Sequence, residues 1–144
     1  MVDVNLAGPV SVARRILVVE DDALIAQSLI DAIIDLGFEC VGPVADLAAG
    51  LRLATEEPLD AAILNLIIRG GTAYGVAAIL DSRNIPFAFA SGVPHDGLET
   101  DWKGRPFLEK PYSMDNIRET LQHLIPHHVW TSETVVGLSA PQQA

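Results

Sequence analysis

The sequence predicts a doubly wound α/β domain, a five-stranded parallel sheet with helices on both faces. Three observations carry that expectation. Five short, β-rich apolar runs alternate with segments of helical period, as βαβ units with right-handed crossovers require. The first run, RILVVE (15–20), is apolar almost throughout rather than alternating, which marks a strand covered on both faces. A chain of 144 residues with 49% hydrophobic content is sufficient for one core in one compact domain.

The elements follow in order. After a loose leader (1–13) containing Gly8 and Pro9, strand one covers 15–20. Over 22–36, Leu24, Ile25, Leu29, Ala32, Ile33 and Leu36 recur at spacings of three and four, and Gly37 is placed to end that helix. FECVG (38–42) is a short second strand closed by Gly42 and Pro43. Asp46 can cap a second helix that runs to about Glu57, with Leu47, Leu51 and Ala54 inward, before Pro58 stops it. DAAILN (60–65) is the third strand, followed by a glycine loop and a third helix over about 72–83. PFAFAS (86–91) is the fourth strand. The glycines, proline and poor periodicity of 92–105 predict a fourth helix that is short or irregular. PFLEK (106–110) is the fifth strand, and the last helix spans about 114–124 with Ser113 as N-cap. The domain is thus expected over 14–125, with a mobile tail over 126–144 and no room for a DNA-binding output domain.

Charge limits the partners. Nine basic against 19 acidic residues give a net charge of −10, which repels phosphate backbones and anionic lipid surfaces, so neither nucleic acid nor membrane is an expected partner. The single cysteine, Cys40, cannot form an internal disulfide. No signal-peptide pattern opens the chain and no apolar run approaches the ~20 residues of a membrane span, so a cytoplasmic location is expected.

In an open parallel sheet the ligand lies beyond the carboxyl ends of the strands. Those ends carry Glu20 and Asp21, Asn65, Ser91 and Lys110. Adjacent carboxylates beside a further oxygen suit a hard cation such as Mg²⁺, and a hydroxyl with a lysine suits an anion bound to it. Taken singly, the acids read as well as helix caps, Ser91 as a strand-end cap and Lys110 as a solvated charge. His95, His123, His127 and His128 suggest no site, His127 and His128 reading as a solvated pair at a helix end.

LVVEDD, LDAAILN, FASG and FLEKP, in this order and spacing across 14–125, resemble the receiver domain of two-component response regulators, a CheY-like, flavodoxin-like fold. FAFASG and the weak fourth-helix region also resemble the FATGUY subgroup, although the aromatic end of that motif is missing. The resemblance implies that Glu20, Asp21 and the Ile67 carbonyl hold Mg²⁺, that Ser91 binds a phosphoryl oxygen and that Lys110 pairs with the phosphate. Phe107 stands at the switch-aromatic position, with an outward or mixed rotamer expected without phosphate. The implied partners are a histidine kinase, of the HWE type by the FATGUY resemblance, or a phosphotransfer protein, and a downstream protein, with a second copy of the chain as a further candidate. The chain itself is not expected to be an enzyme.

One position departs from the family. Asn65 stands where the phosphoacceptor aspartate is placed, and an amide, its lone pair delocalised, is a very poor nucleophile. Its oxygen could still ligate the metal, with one negative charge fewer and hence weaker Mg²⁺ binding. Two readings stay open at this point. Asn65 is either an Asp→Asn change that fixes an ordinary receiver in its unphosphorylated form, or the mark of a pseudo-receiver that docks without phosphorylation. A phosphatase of similar topology would need a D-x-D pattern after strand one, and a Rossmann nucleotide binder would need a glycine-rich turn there; VVEDDAL supplies neither.

Overall fold

The computed structural model describes residues 13–92 and 98–128. The expectations for the leader, and for the tail beyond 128, fall outside these residues. Strands β1 (Arg15–Val19), β2 (Glu39–Val44), β3 (Ala61–Asn65), β4 (Phe87–Ser91) and β5 (Phe107–Glu109) form one sheet in the order β2-β1-β3-β4-β5. All its pairings are parallel. Helices α1 (Ala23–Asp35), α2 (Leu47–Glu56), α3 (Tyr74–Ser82) and α4 (Met114–Leu124) connect and cover it. This is the expected doubly wound α/β architecture.

Strand alternation divides the core into two layers. Ile16, Val18, Ala61, Ile63, Ala88, Ala90 and Leu108 face α1 and α4, where Leu29, Ile33, Ile117 and Leu121 meet them. Leu17, Val19, Ala62, Leu64, Phe87 and Phe89 face α2 and α3, with Ala54, Val76, Ala77 and Leu80. Every residue of β3 and β4 is buried, which explains why those strands read as unbroken apolar runs.

The caps match the sequence chemistry. The Asp22 carboxylate accepts from the N–H groups of Leu24 and Ile25, Asp46 accepts from Ala49, and Ser113 with Asn116 forms a reciprocal capping box on α4. Among the three consecutive acids, therefore, Asp22 takes the capping role and leaves Glu20 and Asp21 to the sheet end.

Three expectations are corrected. Strand two does not close at Gly42 but continues to Val44, because β2 is an edge strand and absorbs Gly42 and Pro43 as an irregularity opposite Leu17 and Val19. Proline has no N–H for a ladder and is tolerated at such an edge. Gly42 has φ +93°, and a Cβ there would meet Val18 O and Val44 N at 3.0 Å. The glycine loop after β3 is an antiparallel hairpin of Ile67–Ile68 with Gly71–Thr72, so α3 begins at Tyr74 rather than near 72. His127 is exposed as expected, but His128 is half-buried with its ring 4.6 Å from that of Phe38, and burial lowers its pKa, with Arg14 adding to the effect. Between β4 and β5, the described residues hold one short 3₁₀ turn, Thr100–Trp102, in line with the irregular fourth helix expected.

Candidate functional site

The candidate residues converge where the sheet order reverses, between the carboxyl ends of β1 and β3. Glu20 follows β1, its N–H donating to Val44 O at 2.9 Å, and only 3% of the residue is exposed. Asn65 is the last residue of β3 and is buried. Lys110 follows β5, and its backbone N–H donates to Ser91 O at 2.8 Å, which ties the ends of β4 and β5 together. Asp21 borders the mouth.

The side chains form one closed hydrogen-bond network. Lys110 Nζ donates to Glu20 Oε1 at 2.9 Å and to Asn65 Oδ1 at 3.0 Å. Asn65 Nδ2 faces Glu20 Oε2 at 3.2 Å, Asp21 Oδ1 at 3.2 Å and the Ile67 carbonyl at 2.7 Å. Glu20 Oε2 also accepts from the Asp22 N–H at 3.0 Å. The buried Glu20 carboxylate is therefore served on both oxygens and paired with a cation, as a buried acid requires.

The loop that supplies the Ile67 carbonyl is fixed from several sides. Leu66 N–H donates to Ala90 O, Ala73 N–H to Leu66 O, and Leu47 N–H at the start of α2 to Arg69 O. Gly70 and Gly71 take φ +94° and +142° in its tip, a region open to glycine at little cost. The tight turn was legible only as a glycine pair; its pairing across two residues was not.

Ser91 is buried at the last position of β4, in register with Glu109. Phe107 begins β5, half-buried and packed against the α2–α3 layer, opposite Phe89 in the ladder. Beside it, β5 and the outer side of α4 line an open groove of Phe107, Glu109, Asn116, Glu119 and Thr120.

Glu20, Asp21 and the Ile67 carbonyl offer three oxygens around one point, which suits Mg²⁺. The Asn65 oxygen is turned to Lys110, and its nitrogen lies between the two acids. No group of three or more His, Cys, Asp or Glu side chains suited to a metal occurs among the described residues. No described helix is long and apolar enough to cross a membrane.

Sequence reasoning missed a second cluster on the α2–α3 side. Tyr74, Phe87, Phe89 and Trp102 have ring centroids within 6 Å of one another in five pairs, and Arg105 lies over Phe87 and Trp102 at 5.3 and 5.2 Å. Arg105 also makes a two-pronged ion pair with Asp81 of α3, both distances 2.9 Å. The available signal was aromatic spacing in PFAF with a tryptophan in an otherwise polar stretch.

No family model matches the chain, and no curated protein matches it. Solved structures do. SdrG from Sphingomonas melonis Fr1 is 39% identical over 80% of this chain and 98% of its own, with TM-score 0.71. A CheY-like response-regulator receiver domain protein from Methanospirillum hungatei JF-1 shares the fold at 18% identity, over 78% of this chain and 93% of its own, with TM-score 0.69. So does the receiver domain of the sensor histidine kinase PA1611 from Pseudomonas aeruginosa PAO1, solved with a magnesium ion coordinated in its active-site cleft, at 21% identity over 80% and 99% of the two chains and TM-score 0.67. A two-fifths identity to SdrG spanning nearly all of that protein, on a sheet whose strand ends gather Glu20, Asp21, Ser91 and Lys110, means that the chain belongs to the CheY-like response-regulator receiver domains of two-component signalling.

Proposed function

We propose that this chain is a receiver domain of the FATGUY subgroup that no longer accepts a phosphoryl group, because Asn65 occupies the acceptor position. One observation carries the reading: the side chain at the end of β3, between Glu20, Asp21 and Lys110, is an amide. A carboxylate there could attack phosphorus, whereas the amide nitrogen has no available lone pair and its oxygen is engaged by Lys110. The chain then acts as a binding module held in one conformational population rather than as an enzyme. Since a ligand shifts a conformational equilibrium only by its differential affinity for the two states, loss of the acceptor leaves the resting population in place.

On this reading the chain is cytoplasmic, and its partners are a histidine kinase of the HWE type or a phosphotransfer protein, and a downstream protein that reads the Phe107 face. Glu20, Asp21 and the Ile67 carbonyl are the groups that would hold Mg²⁺ in a receiver with an aspartate at 65, and the amide in its place weakens binding there. A phosphorylation-independent docking role is favoured by the complete hydrogen bonding of the pocket, which leaves the Asn65 amide no role beyond structure.

The test is labelling by mass. Incubated with acetyl phosphate and Mg²⁺, the chain should gain no phosphoryl group, and Asn65→Asp should gain one labile, hydroxylamine-sensitive acyl phosphate on residue 65. If Asn65→Asp remains unlabelled with both acetyl phosphate and a cognate kinase, the phosphoswitch ancestry of the pocket is rejected and the docking role stands alone.

A further inference from the structure

The Asn65 amide does more than fail as a nucleophile. Its nitrogen lies 3.2 Å from Glu20 Oε2, 3.2 Å from Asp21 Oδ1 and 2.7 Å from the Ile67 carbonyl, the three groups around which a cation would sit. Chemistry fixes this orientation. Turned over, the NH₂ would meet the Lys110 ammonium, donor against donor, and the oxygen would meet two carboxylates and a carbonyl with no proton among them.

We propose that the Asn65 amide is a built-in substitute for the divalent cation, closing the pocket by hydrogen bonds and keeping Mg²⁺ out. The two amide hydrogens serve three acceptors, with the short bond to Ile67 strongest and the two carboxylates sharing the remainder. Charge supports the same arrangement. Two carboxylates face one ammonium, with the positive end of the amide dipole between the acids; an aspartate at 65 would set three carboxylates against that single ammonium and make an added cation necessary. The structure of the strand ends then does not depend on Mg²⁺, and the chain presents the same surface at any concentration of the ion. The inference rests on the receiver reading for the identity of the displaced cation, but not on phosphoryl transfer.

Thermal unfolding of the whole chain, with and without MgCl₂ at matched ionic strength, separates a substitute from a ligand. Three proteins are compared: the chain as it stands, Asn65→Ala and Asn65→Asp. The unaltered chain should show no Mg²⁺-dependent change in Tm. Asn65→Ala should melt lower without the ion and rise by roughly 3–6 °C when Mg²⁺ saturates the vacated site. Asn65→Asp should rise at least as much. Were Asn65 an oxygen ligand, the unaltered chain would respond more than Asn65→Ala, and the proposal would be overturned. A response confined to Asn65→Asp would overturn it too, since removal of the amide alone must reopen the site. So would no response in any of the three. If Asn65→Ala does not fold, Asn65→Ser takes its place with the same expectations. An Asn65→Asp protein that responds to Mg²⁺ yet resists labelling would reject the phosphoryl reading while leaving this one intact.

Discussion

Phe89→Ala is expected to destabilise the domain by about 4 kcal/mol, the largest effect of any single truncation on the α2–α3 side. Phe89 is fully buried in the middle of β4, and its ring meets those of Tyr74, Phe87 and Trp102 at centroid distances of 5.7, 5.4 and 5.8 Å. Alanine would remove the packing of a whole ring and the edge-to-face contacts that add to area burial, and it would leave a cavity between two elements that cannot both move in. The loss should extend to residues 98–105, which depend on this cluster. Trp102 stacks on Tyr74, Leu98 is buried beneath them, and Glu99 N–H donates to the Tyr74 hydroxyl at 3.0 Å. The Arg105–Asp81 ion pair holds the same segment, but both side chains are partly solvated and such pairs are screened. Ring packing should therefore outweigh it. Urea unfolding measures the first effect. Trp102 fluorescence measures the second in a Trp130→Phe background, where a red-shifted emission before global unfolding is expected. A cost below about 1.5 kcal/mol with unshifted emission would mean that the cluster is not what fixes this segment.

Much of the fold was legible because its signals are local and redundant. The α4 limits agree with the sequence reading to the residue, since Ser113, Asn116 and a three-four apolar spacing all point to one start. The five strands were placed within one or two residues wherever both faces are buried, since burial on both sides leaves an unbroken apolar run. The misreadings share a different origin. Pro43 argued for a strand end, but whether an edge absorbs a proline depends on which strand is outermost, and topology is not local. The hairpin at 67–72 is held by contacts to β4 and α2 that no short window contains. At the site, the sequence supplied every residue of the network and the electrostatic type of each, but not the direction of the Asn65 amide. Oxygen and nitrogen differ there only through their neighbours, Lys110 on one side and two acids on the other, Lys110 and Glu20 lying 45 positions away in the chain and Asp21 44.

Lys110→Met should cost about 3 kcal/mol, and its pattern of rescue is more informative than its size. Lys110 reaches the pocket from the far side of the sheet to contact Glu20, whose side chain is 1% exposed, while its own is 18% exposed. Methionine preserves the length and apolar stem of the lysine and removes the charge, leaving Glu20 with only the Asp22 N–H and the Asn65 amide, and the Asn65 oxygen without its donor. A buried carboxylate without a counter-ion is the costly outcome; a buried pair set against a neutral pair is nearly balanced. Glu20→Gln in the Lys110→Met background should therefore recover most of the loss, although Glu20→Gln alone destabilises. A double-mutant cycle in urea should give a coupling of about 2 kcal/mol between the two residues, since they share one network. The same cycle in Asn65→Asp without Mg²⁺ should give a larger coupling, because Lys110 would then be the only cation among three carboxylates. Equal couplings in the two backgrounds would mean that the amide leaves the charge balance of the pocket unchanged, and that Lys110 holds β5 to β1 as a spacer rather than as a counter-ion.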